Sequence, residues 1–160
     1  PSKTFNLAGL VGSYHVVYND WMRERMEKEA SLSHYNSMNL LSMYALIGAY
    51  GEEGYLWVDE LCRVLSENVR FAVEYIRERF RGVSVASPEG TYMLFPDCKE
   101  WCREHGTDVG ELLRKGQEVG VRWQDGRAFH GETHIRMNLA LPKKTVEEAF
   151  ERLDKYVFNA

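Results

Sequence analysis

Ser2-Lys3-Thr4-Phe5-Asn6-Leu7-Ala8-Gly9-Leu10 sets a lysine beside a serine at the head of a small, glycine-punctuated turn, and the apolar run Tyr14-His15-Val16-Val17-Tyr18 follows directly. A lysine amine attacks a carbonyl only when neutral, so a nucleophilic lysine needs desolvation or a cationic neighbour to lower its pKa. A turn beside a buried strand provides that setting. The same spacing also suits a solvated lysine near a chain end, where segments are commonly mobile. Residues 13–18 are rich in aromatic and β-branched side chains and lack clean alternation, which predicts a strand buried on both faces.

Beyond this run, Asn19-Asp20 predicts the N-terminus of a helix through Trp21 to Lys28. Ser31 to Asn36 breaks the pattern before a second helix from Ser37 to about Tyr50. The longest helix is expected from near Tyr55 to Phe80, where Leu61, Leu65, Ala72, Ile76 and Phe80 follow a 3.6-residue period. Aromatic residues at helical spacing, Trp57, Phe71 and Tyr75, read as packing groups. After Arg81-Gly82 the period changes to two. Val83 and Val85, a turn at Ser87-Pro88-Glu89-Gly90, and Thr91 to Phe95 predict an antiparallel hairpin. Asp97 with Glu100 reads as a capping box for a short helix ending near His105-Gly106, and Thr107 as the cap of the next, running to about Val119.

Gly120 to Trp123 reads as a short strand before the Asp125-Gly126 turn. The clearest alternation follows, with Ile135, Met137, Leu139 and Leu141 on one face and Arg136, Asn138 and Ala140 on the other. Pro142 stops it. Thr145 and Glu148 suggest another capping box, and Val146, Ala149, Phe150, Leu153 and Val157 a final amphipathic helix. Three or four short strands flanked by helices make an α+β layer.

The 160 residues, 44% hydrophobic, suffice for one domain with a sizeable core. A formal net charge of -4 without a basic block lacks the electrostatic footprint expected for nucleic acid, so no nucleic-acid partner is expected. No apolar run approaches the ~20 residues that span a bilayer, and no charged-then-apolar leader opens the sequence, so no membrane partner and a soluble, cytoplasmic location are expected. Cys62, Cys98 and Cys102 are an odd, sparse set that predicts reduced thiols. The sequence opens without methionine and in mid-motif, so residue 1 is expected to be a cut point in a longer protein.

Arg136 sits on the polar face of the alternating strand, and a planar guanidinium suits bidentate capture of a carboxylate, although a solvated arginine on a half-exposed sheet fits the same pattern. The segment Asp125-Gly126-Arg127-Ala128-Phe129-His130-Gly131 reads either as a surface loop or as a pocket border with Phe129 in its wall. Cys98, Cys102 and His105 share one side of a short helix but have no fourth ligand at motif spacing, so they read as ordinary half-buried residues and no metal site is expected. His15, His34, His130 and His134 join no Ser/Asp arrangement of a hydrolase triad.

Three of these stretches, residues 2–10, Asp125-Gly126-Arg127-Ala128-Phe129, and His134-Ile135-Arg136-Met137-Asn138-Leu139-Ala140-Leu141-Pro142, in this order and at these separations, resemble the carboxy-terminal part of a fold-type I pyridoxal-phosphate enzyme of aminotransferase class I/II. The similarity covers the whole chain and points to the MalY/PatB group of cystathionine β-lyases. The resemblance implies that residues 1–19 are the tail end of a large cofactor-binding domain, with its lysine and last strand, and that residues 20–160 are the small C-terminal domain. It implies that Lys3 tethers pyridoxal 5'-phosphate and moves the substrate Cα proton, that Arg136 holds the amino-acid carboxylate, and that Phe129 borders the pocket. Many aminotransferases carry a phosphate-binding arginine eight residues after the lysine; Val11 stands there, and Ser2 adds at most a weak contact.

The implied activity is carbon–sulfur β-elimination from cystathionine or a cysteine derivative, with amino transfer as the alternative, in a homodimer. Because the large domain precedes the lysine in the resembled enzymes, the fragment by itself is expected to bind the cofactor poorly and to be inactive. A reading of another class is a non-catalytic interaction module, since the resembled branch includes a member that binds a transcriptional activator. Without the large domain, apolar surface around residues 7–18 is expected to be exposed and to favour self-association.

Overall fold

The structure, a computed structural model, describes residues 1–33 and 37–159. Its backbone contacts divide into two compact units, Pro1–Leu61 and Cys62–Ala160.

The first unit opens with a tight turn in which the Phe5 amide donates to the Pro1 carbonyl at 3.0 Å. A short 3-10 turn, Ala8–Leu10, follows. Helix α1 spans Asp20–Leu32, and the expected cap forms: the Asn19 side chain accepts from the Met22 amide at 2.9 Å. Within the expected break at Ser31 to Asn36, α1 continues through Leu32, and residues 34–36 lie outside the described residues. Helix α2, Leu40–Ala49, begins three residues later than its expected start because Asn39 supplies the cap, accepting from the Ser42 amide at 2.9 Å. Helix α3 spans Glu52–Arg79 and starts ahead of Tyr55, its first turn carrying Glu52 and Glu53 where acidic groups favour the helix dipole.

Residues 13–18 form no strand. Tyr14, Val16 and Tyr18 are 57%, 65% and 92% exposed. Composition supplied the β-propensity, but a strand exists only where another backbone accepts its ladder, and none of the described residues does so. Tyr14 instead bonds Tyr50 hydroxyl to hydroxyl at 2.9 Å. Phe5 packs edge-on against Tyr50 and stacks on Trp57, with centroids 5.0 and 6.4 Å apart, so Trp57 is a packing group as expected.

The second unit is built on a three-stranded antiparallel sheet. Its strands are β1 (Met93–Leu94), β2 (Gln124–Asp125) and β3 (Ile135–Asn138), in the order β1-β3-β2. The alternation around Ile135 translates directly into structure, with Ile135 and Met137 buried, Arg136 half-buried and Asn138 exposed. The predicted hairpin is not formed: residues 91–95 give β1 to β3, and residues 83–85 pair only through a bridge between Ser84 and Asp97. Alternation sets which side chains are buried and leaves the partner strand open. The ladder predicted at residues 120–123 begins one residue beyond them, at Gln124.

Helices α4 (Lys99–Glu104), α5 (Val109–Glu118) and α6 (Lys143–Leu153) cover this sheet, and a π turn, Asp154–Phe158, completes the last of them. The expected capping box does not form: the N-cap of α4 is Cys98, Asp97 accepts from the Lys99 amide at 2.9 Å in a local turn ahead of the helix, its own amide donates to Ser84, and Glu100 pairs with Arg103 at 2.5 Å. The cap of α5 is Asp108, not Thr107: its extended backbone lets Oδ1 accept from the Glu111 amide at 3.1 Å. Thr145 lies within the first turn of α6, where its amide donates to Pro142, because proline already fixes the entry dihedral of that helix.

Ile76, Phe80, Trp101, Leu112, Ile135, Val146 and Leu153 form the centre of the core. Phe80 stacks between Phe150 and Phe158 at 5.5 and 4.1 Å, and Phe71 and Tyr75 pack on Phe150. The end of α3 is tied to the π turn by Arg79, which bonds the buried Asp154 carboxylate at 2.7 Å. Burial, and then Asp154 itself, push the Tyr75 phenol above its usual range. Further along α3, the buried Asn68 side chain donates to the carbonyls of Leu139 and Leu141 at 3.0 and 2.8 Å, holding the chain just beyond β3.

Candidate functional site

Sequence reasoning singled out residues at the two ends of the chain, and each group has its own local architecture. In the first unit Lys3 lies exposed on the turn closed by Phe5, while the half-buried Ser2 lines an open cavity of about 920 Å³ with Gly12, His15, Arg23, Glu27 and Met38. Arg23 pairs with Asp20 of its own helix, so its charge is already met. Val11 is solvent-exposed and left-handed, with φ 43°, a conformation that a β-branched residue rarely adopts.

In the second unit the structure brings Arg136 and Phe129 together. Residues Gly126–Phe129 form a 3-10 turn between β2 and β3, and the Phe129 ring comes under the Arg136 guanidinium, 4.5 Å from Cζ to the ring centroid. Antiparallel register pairs Arg136 with Gln124, whose Oε1 accepts from Nη1 at 2.9 Å. Gly126 is required by space: a Cβ there would sit 2.2 Å from the His134 carbonyl oxygen, which the sheet holds in position. An open cavity of about 660 Å³ adjoins this group, lined by Leu113, Gln117, Trp123, Gln124 and Phe129.

The neighbouring Arg127 has a different electrostatic state. Asp125 accepts from its Nε at 3.0 Å and from its Nη2 at 2.6 Å. Those bonds hold the Asp125 carboxyl below its usual range and raise the guanidinium of Arg127. Arg127 is thereby closed, whereas Arg136 has no carboxylate bonded to it among the described residues. A guanidinium steadied by a neutral amide and an aromatic face, with donors to spare, suits a planar anion such as a carboxylate.

Gln124 escaped sequence reasoning. Its only signal is the pairing of β2 across a nine-residue loop, residues 126–134, and a two-residue strand gives too little alternation to fix that register in advance. Cys98 and Cys102 are core thiols, and burial pushes both above their ordinary range. His105 stacks on Trp101 at 4.3 Å, with Nδ1 2.8 Å from the Trp101 carbonyl oxygen. No helix among the described residues is long and apolar enough to cross a membrane.

Comparison with known proteins bears on the fold. Cystathionine beta-lyase PatB of Bacillus subtilis is 24% identical over 156 residues, covering 96% of this chain and 39% of PatB. A PLP-bound putative aminotransferase from Clostridium difficile 630 superposes with a TM-score of 0.84 at 31% identity, covering 98% of this chain and 40% of that one. Cystalysin from Treponema denticola, whose structure contains pyridoxal 5'-phosphate, gives 0.81 at 29% identity over 98% of this chain and 39% of its own. The chain thus spans about two fifths of the length of these relatives. With its helices and small antiparallel sheet arranged as in those solved structures, and with the profile of aminotransferase class I and II matching residues 1–153, the chain belongs to that family.

Proposed function

We propose that the protein carrying this sequence is a pyridoxal-phosphate-dependent carbon–sulfur β-lyase that acts on cystathionine or a related cysteine derivative, with amino transfer as the alternative chemistry. The observation that carries the reading is the open guanidinium of Arg136, steadied on Phe129 and Gln124 at the edge of a cavity. The name of the Bacillus subtilis relative, cystathionine beta-lyase, supports the elimination in preference to amino transfer. In this reading residues 1–19 end the large cofactor domain and residues 20–160 form the small one. The enzyme is a cytoplasmic homodimer.

The donor set fits the cofactor at its aldehyde end. Lys3 presents a primary amine that is exposed and not desolvated, because no strand among the described residues forms beside its turn, so the desolvation that makes it nucleophilic falls to the large domain; the half-buried Ser2 lines a cavity. With Val11 exposed and Arg23 engaged by Asp20, the phosphate charge falls to groups of the large domain. When bound, pyridoxal phosphate supplies an electron sink for charge left at the substrate Cα. Lys3 tethers it and, once freed, takes the Cα proton as a general base. Arg136 grips the substrate carboxylate and so orients the Cα–H bond, and Phe129 walls the pocket.

The test is borohydride reduction of the polypeptide that includes the large domain, in the presence of pyridoxal phosphate, followed by peptide mapping and assays of thiol and pyruvate release from cystathionine. A pyridoxyl group on Lys3, with both products lost in Lys3→Ala, is expected. Labelling of another lysine, or full turnover by Lys3→Ala, would overturn the reading. The 160 residues alone are expected to turn nothing over.

A second reading, self-association as an interaction module, draws on the exposure of Val11, Tyr14, Val16 and Tyr18. Size-exclusion chromatography decides it, since a clean monomer that binds no hydrophobic dye counts against it.

A further inference from the structure

We infer that Gln124 is a positioning residue that aims the Arg136 guanidinium while leaving its positive charge uncompensated, an inference that rests on reading Arg136 as the carboxylate anchor. Register places the two residues directly opposite each other on β2 and β3, so their side chains leave the sheet on the same face. The Phe129 ring, 4.5 Å from Cζ, limits the tilt of the guanidinium plane, and the 2.9 Å bond from Nη1 to Gln124 Oε1 limits rotation within that plane. Of the five N–H donors of the group, this bond engages one. The rest remain for a planar anion.

The identity of the holding group matters as much as its position. An amide oxygen orients the guanidinium without net charge, whereas a carboxylate would orient and neutralise it together. The adjoining pair demonstrates the second case: Asp125 closes Arg127 with bonds of 3.0, 3.0 and 2.6 Å. Two arginines nine positions apart are thus divided between structure and binding by the side chain that bonds each one. A Gln-to-Glu change at position 124 would convert the open arginine into a closed one.

The experiment compares Gln124→Ala, Gln124→Glu and Arg136→Lys in the holoenzyme that includes the large domain. It measures KM and kcat for the amino acid, and Ki for the decarboxylated amine of the same substrate. Gln124→Ala is expected to raise KM about tenfold with kcat nearly unchanged, as for loss of one bond to a charged group. Gln124→Glu should raise it further, by about 100-fold in all, because its own carboxylate competes for the guanidinium. The amine, which has no carboxylate, should keep its Ki in the alanine variant, and a merely structural role would not separate the two ligands. If Gln124→Glu matches Gln124→Ala, the argument from charge is overturned. If both leave KM unchanged while Arg136→Lys raises it, the inference fails and the anchor stands. If Arg136→Lys also leaves KM unchanged, the anchor itself is wrong and the inference falls with it.

Discussion

Replacing Asn68 by alanine removes the link between α3 and the chain leaving β3. The side chain is 0% exposed, and both its acceptors are carbonyls, Leu139 at 3.0 Å and Leu141 at 2.8 Å, so the amide nitrogen must face them. The Leu139 carbonyl keeps a second bond, from the Leu141 amide at 2.8 Å, and the Leu141 carbonyl, whose side chain is exposed, recovers water, so each lost bond costs about 0.5–1.5 kcal/mol. Alanine also removes Oδ1, which has no partner, and that offsets part of the loss. The expected net destabilisation is about 1–2 kcal/mol.

Aspartate at the same position sharpens the test. An ionised carboxylate has no donor and would face two carbonyl oxygens in a buried site, so its folded-state pKa rises above the unfolded value of about 3.9. A raised folded pKa means that stability is fully present below the unfolded pKa and is lost as pH rises through the folded one. Asn68→Asp should therefore be less stable than Asn68→Ala at pH ~7, with the gap closing toward pH ~4. Urea unfolding followed by tryptophan fluorescence, with Trp101 and Trp123 buried in the same unit, measures both variants. An alanine variant within about 0.5 kcal/mol of the parent, or an aspartate variant as stable as the parent at neutral pH, would refute the reasoning.

Gly116→Ala tests packing against propensity. Its Cβ would meet Trp123 at 2.7 Å from Cζ2, so overpacking of about 1–3 kcal/mol should outweigh the ~1 kcal/mol helix gain and lower the melting temperature. Thiol labelling tests the core: Cys62 is exposed and should react in the native protein, whereas Cys98 and Cys102 should react only after denaturation. Rapid native labelling of all three would contradict the burial described.

How much could be read in advance follows from what each signal measures. The alternation from Ile135 to Leu139 reports which side chains are buried and carries β3 with Arg136 on its polar face, whereas Leu141, read onto the apolar face, is exposed because the ladder ends at Asn138. It could not name β3's neighbours, which is why residues 83–85 were paired with residues 91–95 when β1 in fact joins β3. Residues 13–18 went wrong for the same reason, since propensity without a partner backbone makes no ladder. Caps were legible to within a residue, since two suitable side chains adjoin at both Asn19-Asp20 and Thr107-Asp108, and the extended backbone of the first in one case and of the second in the other decides which one caps. The resemblance implies Phe129 as a pocket border, but its contact with Arg136 depends on a loop folding back, and Gln124 on a register set by that loop.

The alternating burial of β3 makes the anchor and the core one decision. Sliding this strand by one residue would turn Arg136 toward the core and push Ile135 and Met137 into water. Parity is therefore what the connecting loop must conserve: single-residue insertions or deletions between Gly126 and His134 that reset the pairing would invert every side chain of the strand. Paired changes, which restore the phase, are the ones such a lineage can tolerate.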